Sequence, residues 1–113
     1  MTIHVKNIKI LKGYFDKVVE RTQCHAGNVG QVIFPLLGFI VNKMDENSDI
    51  QVRGNDATGN ILWIFIGGTR YAFRYEHSDE TIEIRENSYM GPLIAKVDNS
   101  TTTSKLETIF ANL

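Results

Sequence analysis

Cys24 and His25 are the residues whose types come nearest to a reacting pair, a thiol beside an imidazole. A thiol becomes a useful nucleophile near neutral pH only when a base or positive charge favours its thiolate. Residues adjacent in a chain seldom point at one another, and no third residue can be named that would orient the imidazole. The pair therefore reads as a helix terminus, where a cationic His25 would suit the negative end of the helix dipole. No catalytic residue is predicted. His4, His25 and His77 are widely spaced and lack the short His or Cys intervals of a zinc site, so no metal and no cofactor is predicted.

Two acidic stretches invite a calcium reading, Asp45-Glu46 with Asp49, and Asn55-Asp56. Neither follows the EF-hand ligand spacing, and both read as solvated turns. Gly27-Asn28-Val29-Gly30 precedes an apolar segment, yet it lacks the phosphate-loop glycine patterns and follows a helix instead of a strand. A different kind of site is offered by Tyr71, Phe73, Tyr75 and His77. Tyrosine needs a partner for its hydroxyl when buried, so these residues could line a small-ligand pocket between sheet and helices.

The elements that would position such residues are clearest between Ile61 and Arg85. Ile61 to Ile66 is a continuous apolar run rich in β-branched and aromatic residues, the pattern of a strand covered on both faces. Gly67-Gly68 ends it, and two glycines supply the positive φ angles of a type I′ turn. Counting outward opposes Ile66 to Thr69, Phe65 to Arg70, Ile64 to Tyr71, Trp63 to Ala72, Leu62 to Phe73 and Ile61 to Arg74. A second turn at residues 77–80 leads into Thr81 to Arg85; a two-residue loop there would set Tyr75 opposite Ile82, Phe73 opposite Ile84 and Arg74 opposite Glu83, while a four-residue loop keeps the same faces without fixing the register.

Opposed residues share a face. Leu62, Ile64, Tyr71, Phe73, Tyr75, Ile82 and Ile84 therefore form a core face, and Ile61, Trp63, Phe65, Arg70, Ala72 and Arg74 form the other. Exposed to water, Ile61, Trp63 and Phe65 would each forgo about 2–3 kcal/mol of burial. The second face therefore calls for a cover, either a helix of the same chain or a partner. Ile61, Trp63, Phe65, Arg70 and Arg74 are the predicted interface residues, with an arginine free to stack on Trp63.

Around these hairpins, apolar spacing predicts a first helix over about residues 4–23. A second should start near Asn28, with Asn28 and Gln31 as a capping box, and run to Lys43 or Met44. That second segment is apolar on nearly every side, which predicts burial between other elements, and Pro35 must either kink it or begin it. Strands follow at Ile50 to Arg53 and Leu93 to Val97. A short C-terminal helix is capped by Ser104 and Glu107. Residues 1–113 thus read as a single α+β domain: two N-terminal helices, an antiparallel sheet of about four to five strands, and a short C-terminal helix.

Composition narrows the function classes. The chain is 42% apolar and 22% charged, with 12 basic and 13 acidic residues for a net charge of −1. That balance argues against a nucleic-acid binder working by bulk electrostatics. No leader pattern opens the chain, and residues 29–41 are too short and interrupted to cross a bilayer, which predicts a soluble cytoplasmic protein with no membrane partner. The leading expectation is a non-enzymatic protein acting by protein-protein contact. A homodimer is its first form, and a regulatory, inhibitor or immunity-like accessory role its second, as in small proteins of mobile bacterial elements. The alternative is a small-ligand binder or enzyme using the aromatic cavity.

Overall fold

The computed structural model describes residues 9–13, 16, 29–46, 49–55, 59–76 and 78–113. Residues 9–13 are helical (α1). They are followed by α2 (Ile33–Lys43), β1 (Gln51–Asn55), β2 (Gly59–Ile66), β3 (Thr69–Glu76), β4 (Thr81–Glu86), β5 (Leu93–Val97) and α3 (Thr103–Ala111). The five strands form one antiparallel meander in chain order. The fold is α+β, as the grouping of like elements in the sequence predicts. Cys24, His25, Asn28, His4 and His77 lie outside the described residues, as does most of the expected first helix.

The central hairpin follows from its turn. Gly67 and Gly68 have φ of +59° and +80°, and the six pairs from Ile61–Arg74 to Ile66–Thr69 are those the glycine turn dictates. Asp45, just beyond α2, holds this turn. Its carboxylate accepts from the amides of Gly67 and Gly68 at 2.7 and 2.8 Å, and its own amide donates to the Phe65 carbonyl at 2.8 Å. The second hairpin pairs Tyr75 with Ile82, Arg74 with Glu83 and Phe73 with Ile84, and its pairing ends at Glu76–Thr81. Glu80 supplies that turn's left-handed residue, with φ of +58°.

Leu62, Ile64, Tyr71, Phe73, Tyr75, Ile82 and Ile84 join Leu11, Val29, Val32, Ile33, Leu36, Ile40, Leu106, Ile109 and Phe110 in one core. The helices therefore cover a single face of the sheet, here called the inner face. Phe110 stacks between Phe39, at a centroid distance of 5.4 Å, and Phe73, at 6.1 Å. α2 buries the stripe Ile33, Leu36 and Ile40, while Phe34 is 64% exposed. The expectation of burial on nearly every side fails because the sheet takes only one stripe of a helix laid on it.

Pro35 is the third residue of α2, in the first turn, where backbone donors lack intrahelical acceptors and a missing N–H costs little. It does not begin the helix, which starts two residues earlier at Ile33. The amides of Gln31 and Val32 instead donate to Asn99 Oδ1 at 2.8 and 3.0 Å, so the entry into α2 is capped from the β5–α3 connection. At α3 the N-cap is Thr102, whose hydroxyl accepts from the Lys105 amide at 3.1 Å. The sequence pattern predicts Ser104 in that role. Ser104 lies inside the helix because Thr102 holds the extended backbone (φ −76°, ψ 158°) that an N-cap requires.

Phe73 is 1% exposed and bridges β2, β4 and α3. Phe73→Ala is expected to lower unfolding free energy by about 3–5 kcal/mol. Chemical denaturation monitored by far-UV circular dichroism measures the loss.

Candidate functional site: an arginine and aromatic layer on the outer face

The remaining side chains of the sheet form its outer face, and strand register sorts them into rows. Arg53, Ile61, Arg74, Glu83 and Lys96 run across β1 to β5 in one row. Gln51, Trp63, Ala72, Arg85 and Leu93 make the next, and Phe65 with Arg70 begins a third. Ile61 and Ala72 are fully buried although neither belongs to the core cluster. α2 and α3 pack on the opposite face of the sheet.

Among the described residues, this face carries a stack of alternating guanidinium groups and rings. Arg70 lies 5.0 Å from the Trp63 ring centroid, and Arg53 lies 5.8 Å from the same ring. Arg53 is also 5.0 Å from the Tyr89 ring, and Arg74 is 5.9 Å from it. Arg53 and Arg74 flank Ile61 in its row, so the Tyr89 ring bridges them across that residue. Arginine suits this duty because its planar, weakly hydrated head stacks on aromatic faces and its stem covers apolar surface.

Tyr89 reaches the sheet because the β4–β5 connection folds back on itself. Asn87 takes a left-handed φ of +68° and donates its amide to the Arg70 carbonyl at 2.8 Å. The loop closes through Glu86 N–H to Pro92 O at 3.1 Å and Gly91 N–H to Ser88 O at 2.9 Å. Arg85 Nη1 donates to Gly91 O at 2.8 Å, fixing the loop to the outer face. Gly91 is obligatory there, since a Cβ would collide with the Glu86 carbonyl oxygen.

Charge is divided unevenly over this face. At the β4–β5 end Glu83, 4% exposed, accepts from Arg85 Nε and Nη2 at 3.1 and 3.3 Å, with Arg74 at 3.6 Å and Lys96 at 3.8 Å. Arg74 also meets Glu76 at 2.7 Å, and Lys96 meets Asp79 at 2.6 Å. The hydrogen bond from Lys96 holds the Asp79 carboxyl below its ordinary range and raises the Lys96 ammonium. Hydrogen bonds from the Ser78 hydroxyl and amide lower Glu76. Here the cations Arg74, Arg85 and Lys96 are matched by Glu76, Asp79 and Glu83. At the other end, among the described residues, no carboxylate lies within ion-pair distance of Arg53 or Arg70. Trp63 Nε1 and Arg70 Nε are buried there with no hydrogen-bond partner among the described residues.

The sequence-derived interface residues are thus gathered on one face, in distinct positions. Ile61 lies beneath the layer, Trp63, Phe65, Arg70 and Arg74 are half-buried within it, and it is Arg70, not Arg74, that stacks on Trp63. Arg53 and Tyr89 escape sequence reasoning. Alternation along Gln51 to Arg53 gives Arg53 a parity but not a partner, because the loop to β2 leaves the register open. Tyr89 stands alone in a polar loop, with no periodicity to mark it. Of the residues proposed for a ligand pocket, Tyr71, Phe73 and Tyr75 are buried in the core, with Phe110 against Phe73. Among the described residues no group of three or more His, Cys, Asp or Glu is gathered for a metal. Nor is any helix among them long and apolar enough to cross a membrane.

Residues 11–107 match the family model described as "Integron cassette protein VCH_CASS1 chain". The chain belongs to that family, and the match spans the whole sheet and the loop that carries Tyr89. No curated protein matches the chain.

The loop geometry makes Gly91 a sensitive position. Gly91→Ala is expected to reduce stability by about 1–3 kcal/mol, as forced overpacking does. Gly38→Ala, in the exposed side of α2 with nothing near its Cβ, should be neutral or stabilising. Denaturant midpoints of the two variants give the comparison.

Proposed function

We propose that this integron cassette protein is a non-enzymatic cytoplasmic module that acts by protein-protein contact through the outer face of its sheet. The observation that supports this most is the make-up of the face. Trp63, Tyr89, Phe65, Arg53 and Arg70 are joined there by Leu93, 46% exposed, and the loop that carries Tyr89 also holds Met90, 78% exposed. Aromatic residues, methionine and arginine are the types enriched in protein interfaces, and tryptophan, tyrosine and arginine dominate their hot spots. The layer is also pre-organised. Its rings and guanidinium groups are already stacked, so binding would freeze few rotamers.

The accessory role follows from the same surface, as a contact that restrains or positions another macromolecule. Self-association is the simplest form of the contact, since two-fold dimers are the commonest soluble assembly. Trp63 and Phe65 would then stand at or beside the seam, with Arg70 and Arg74 setting orientation.

Sedimentation of wild type, Trp63→Ala and Phe65→Ala over a dilution series tests this form. A concentration-dependent dimer that both substitutions weaken is the expected result. A dimer indifferent to both would move the contact off the outer face, and a monomer at every concentration would remove self-association.

A further inference from the structure

The uneven charge of the outer face specifies its occupant. The β4–β5 end is internally neutralised, whereas the Trp63 end presents Arg53 and Arg70 without a carboxylate among the described residues. The two arginines flank Trp63 along β2, because Arg53 pairs with Ile61 and Arg70 with Phe65, the positions two residues before and two after it. Their guanidinium groups sit 5.8 and 5.0 Å from its ring. This end of the face is rich in hydrogen-bond donors. Arginine's fork matches a carboxylate in two parallel bonds, and the indole offers an apolar shelf between the two forks.

We propose that the Trp63 end of the outer face docks an acidic segment of another protein, whose carboxylates are taken by Arg53 and Arg70 on the two sides of the indole. This rests on the contact reading above, but not on self-association. The seam of a self-associated form would lie beside this end, not centred on it. A two-fold axis through Trp63 would bring each arginine against equivalent arginines of the other chain, and like-charge juxtaposition suppresses such pairing. A nucleic-acid strand fits poorly. Its backbone would have to continue across Glu76, Asp79 and Glu83 on the same face, and the chain's net charge is −1.

The experiment is a titration of the full chain with an oligoglutamate peptide, followed by the fluorescence of Trp63, the only tryptophan in the chain. Oligolysine and oligothymidylate serve as counter-probes. The expected result is a saturable change with oligoglutamate that weakens as salt rises, and no response to oligolysine. The paired substitution Arg53→Gln with Arg70→Gln should abolish the response. Arg53→Lys with Arg70→Lys keeps the charges and should retain part of it, so loss in the first pair alone is not a folding artefact. An unaltered response in a folded glutamine pair, or none in wild type, overturns the inference. Tighter binding of oligothymidylate replaces it with a nucleic-acid site. If oligoglutamate fails while the protein dimerises through Trp63, the contact reading stands and this inference falls; if neither occurs, both fall.

Discussion

The Gly67–Gly68 turn is the constraint on which the rest of the sheet depends. Both glycines lie at positive φ, a conformation that favours residues without a Cβ, and the Asp45 carboxylate accepts both of their amides. A two-residue loop leaves no freedom in register. A slip by one residue would exchange the faces of β2, exposing Leu62 and Ile64 and driving Trp63 against the helices. Because Asp45 also donates to Phe65 O, the end of α2 is tied to the hairpin that α2 covers. Turn geometry and helix placement are thereby one interaction.

Once that register is set, the chain must cover apolar side chains on both faces of β2. On the inner face it uses Leu106, Ile109, Phe110 and the buried stripe of α2. On the outer face it uses guanidinium stems and two aromatic rings, a cover that is apolar where it touches Ile61 and charged where it meets water. Such a layer is built from side chains of the sheet and of one loop. It imposes an electrostatic condition, because stacked arginines accumulate positive charge. Glu83, buried at the centre of Arg74, Arg85 and Lys96, meets that condition at the β4–β5 end. Arg53 and Arg70 have no corresponding group among the described residues.

The parts of this arrangement legible in the sequence are those governed by strict local periodicity. Two-residue alternation and a glycine pair determine the pairing of Ile61 through Arg74, and from it the membership of both faces. Features governed by distance in space were not legible. Asn99 caps the entry to α2 across 67 and 68 residues of chain, and no local pattern marks it. Thr102 and Ser104 are both suitable caps by type, and only the backbone conformation chooses between them. Tyr89 belongs to the site because Gly91 permits a tight loop against the Glu86 carbonyl, a steric fact that composition does not carry. Arg53 required the register of an edge strand whose loop offers no two-residue turn.

Arg53 and Arg70 stack on Trp63, and quenching of that tryptophan by acrylamide measures the cover they provide. With a single tryptophan in the sequence, the signal has one source. Comparison of wild type with a variant carrying Arg53→Ala and Arg70→Ala, both shown to be folded by circular dichroism, should give a higher quenching constant and altered emission for the variant. Equal quenching and unchanged emission in the two proteins would contradict this stacking.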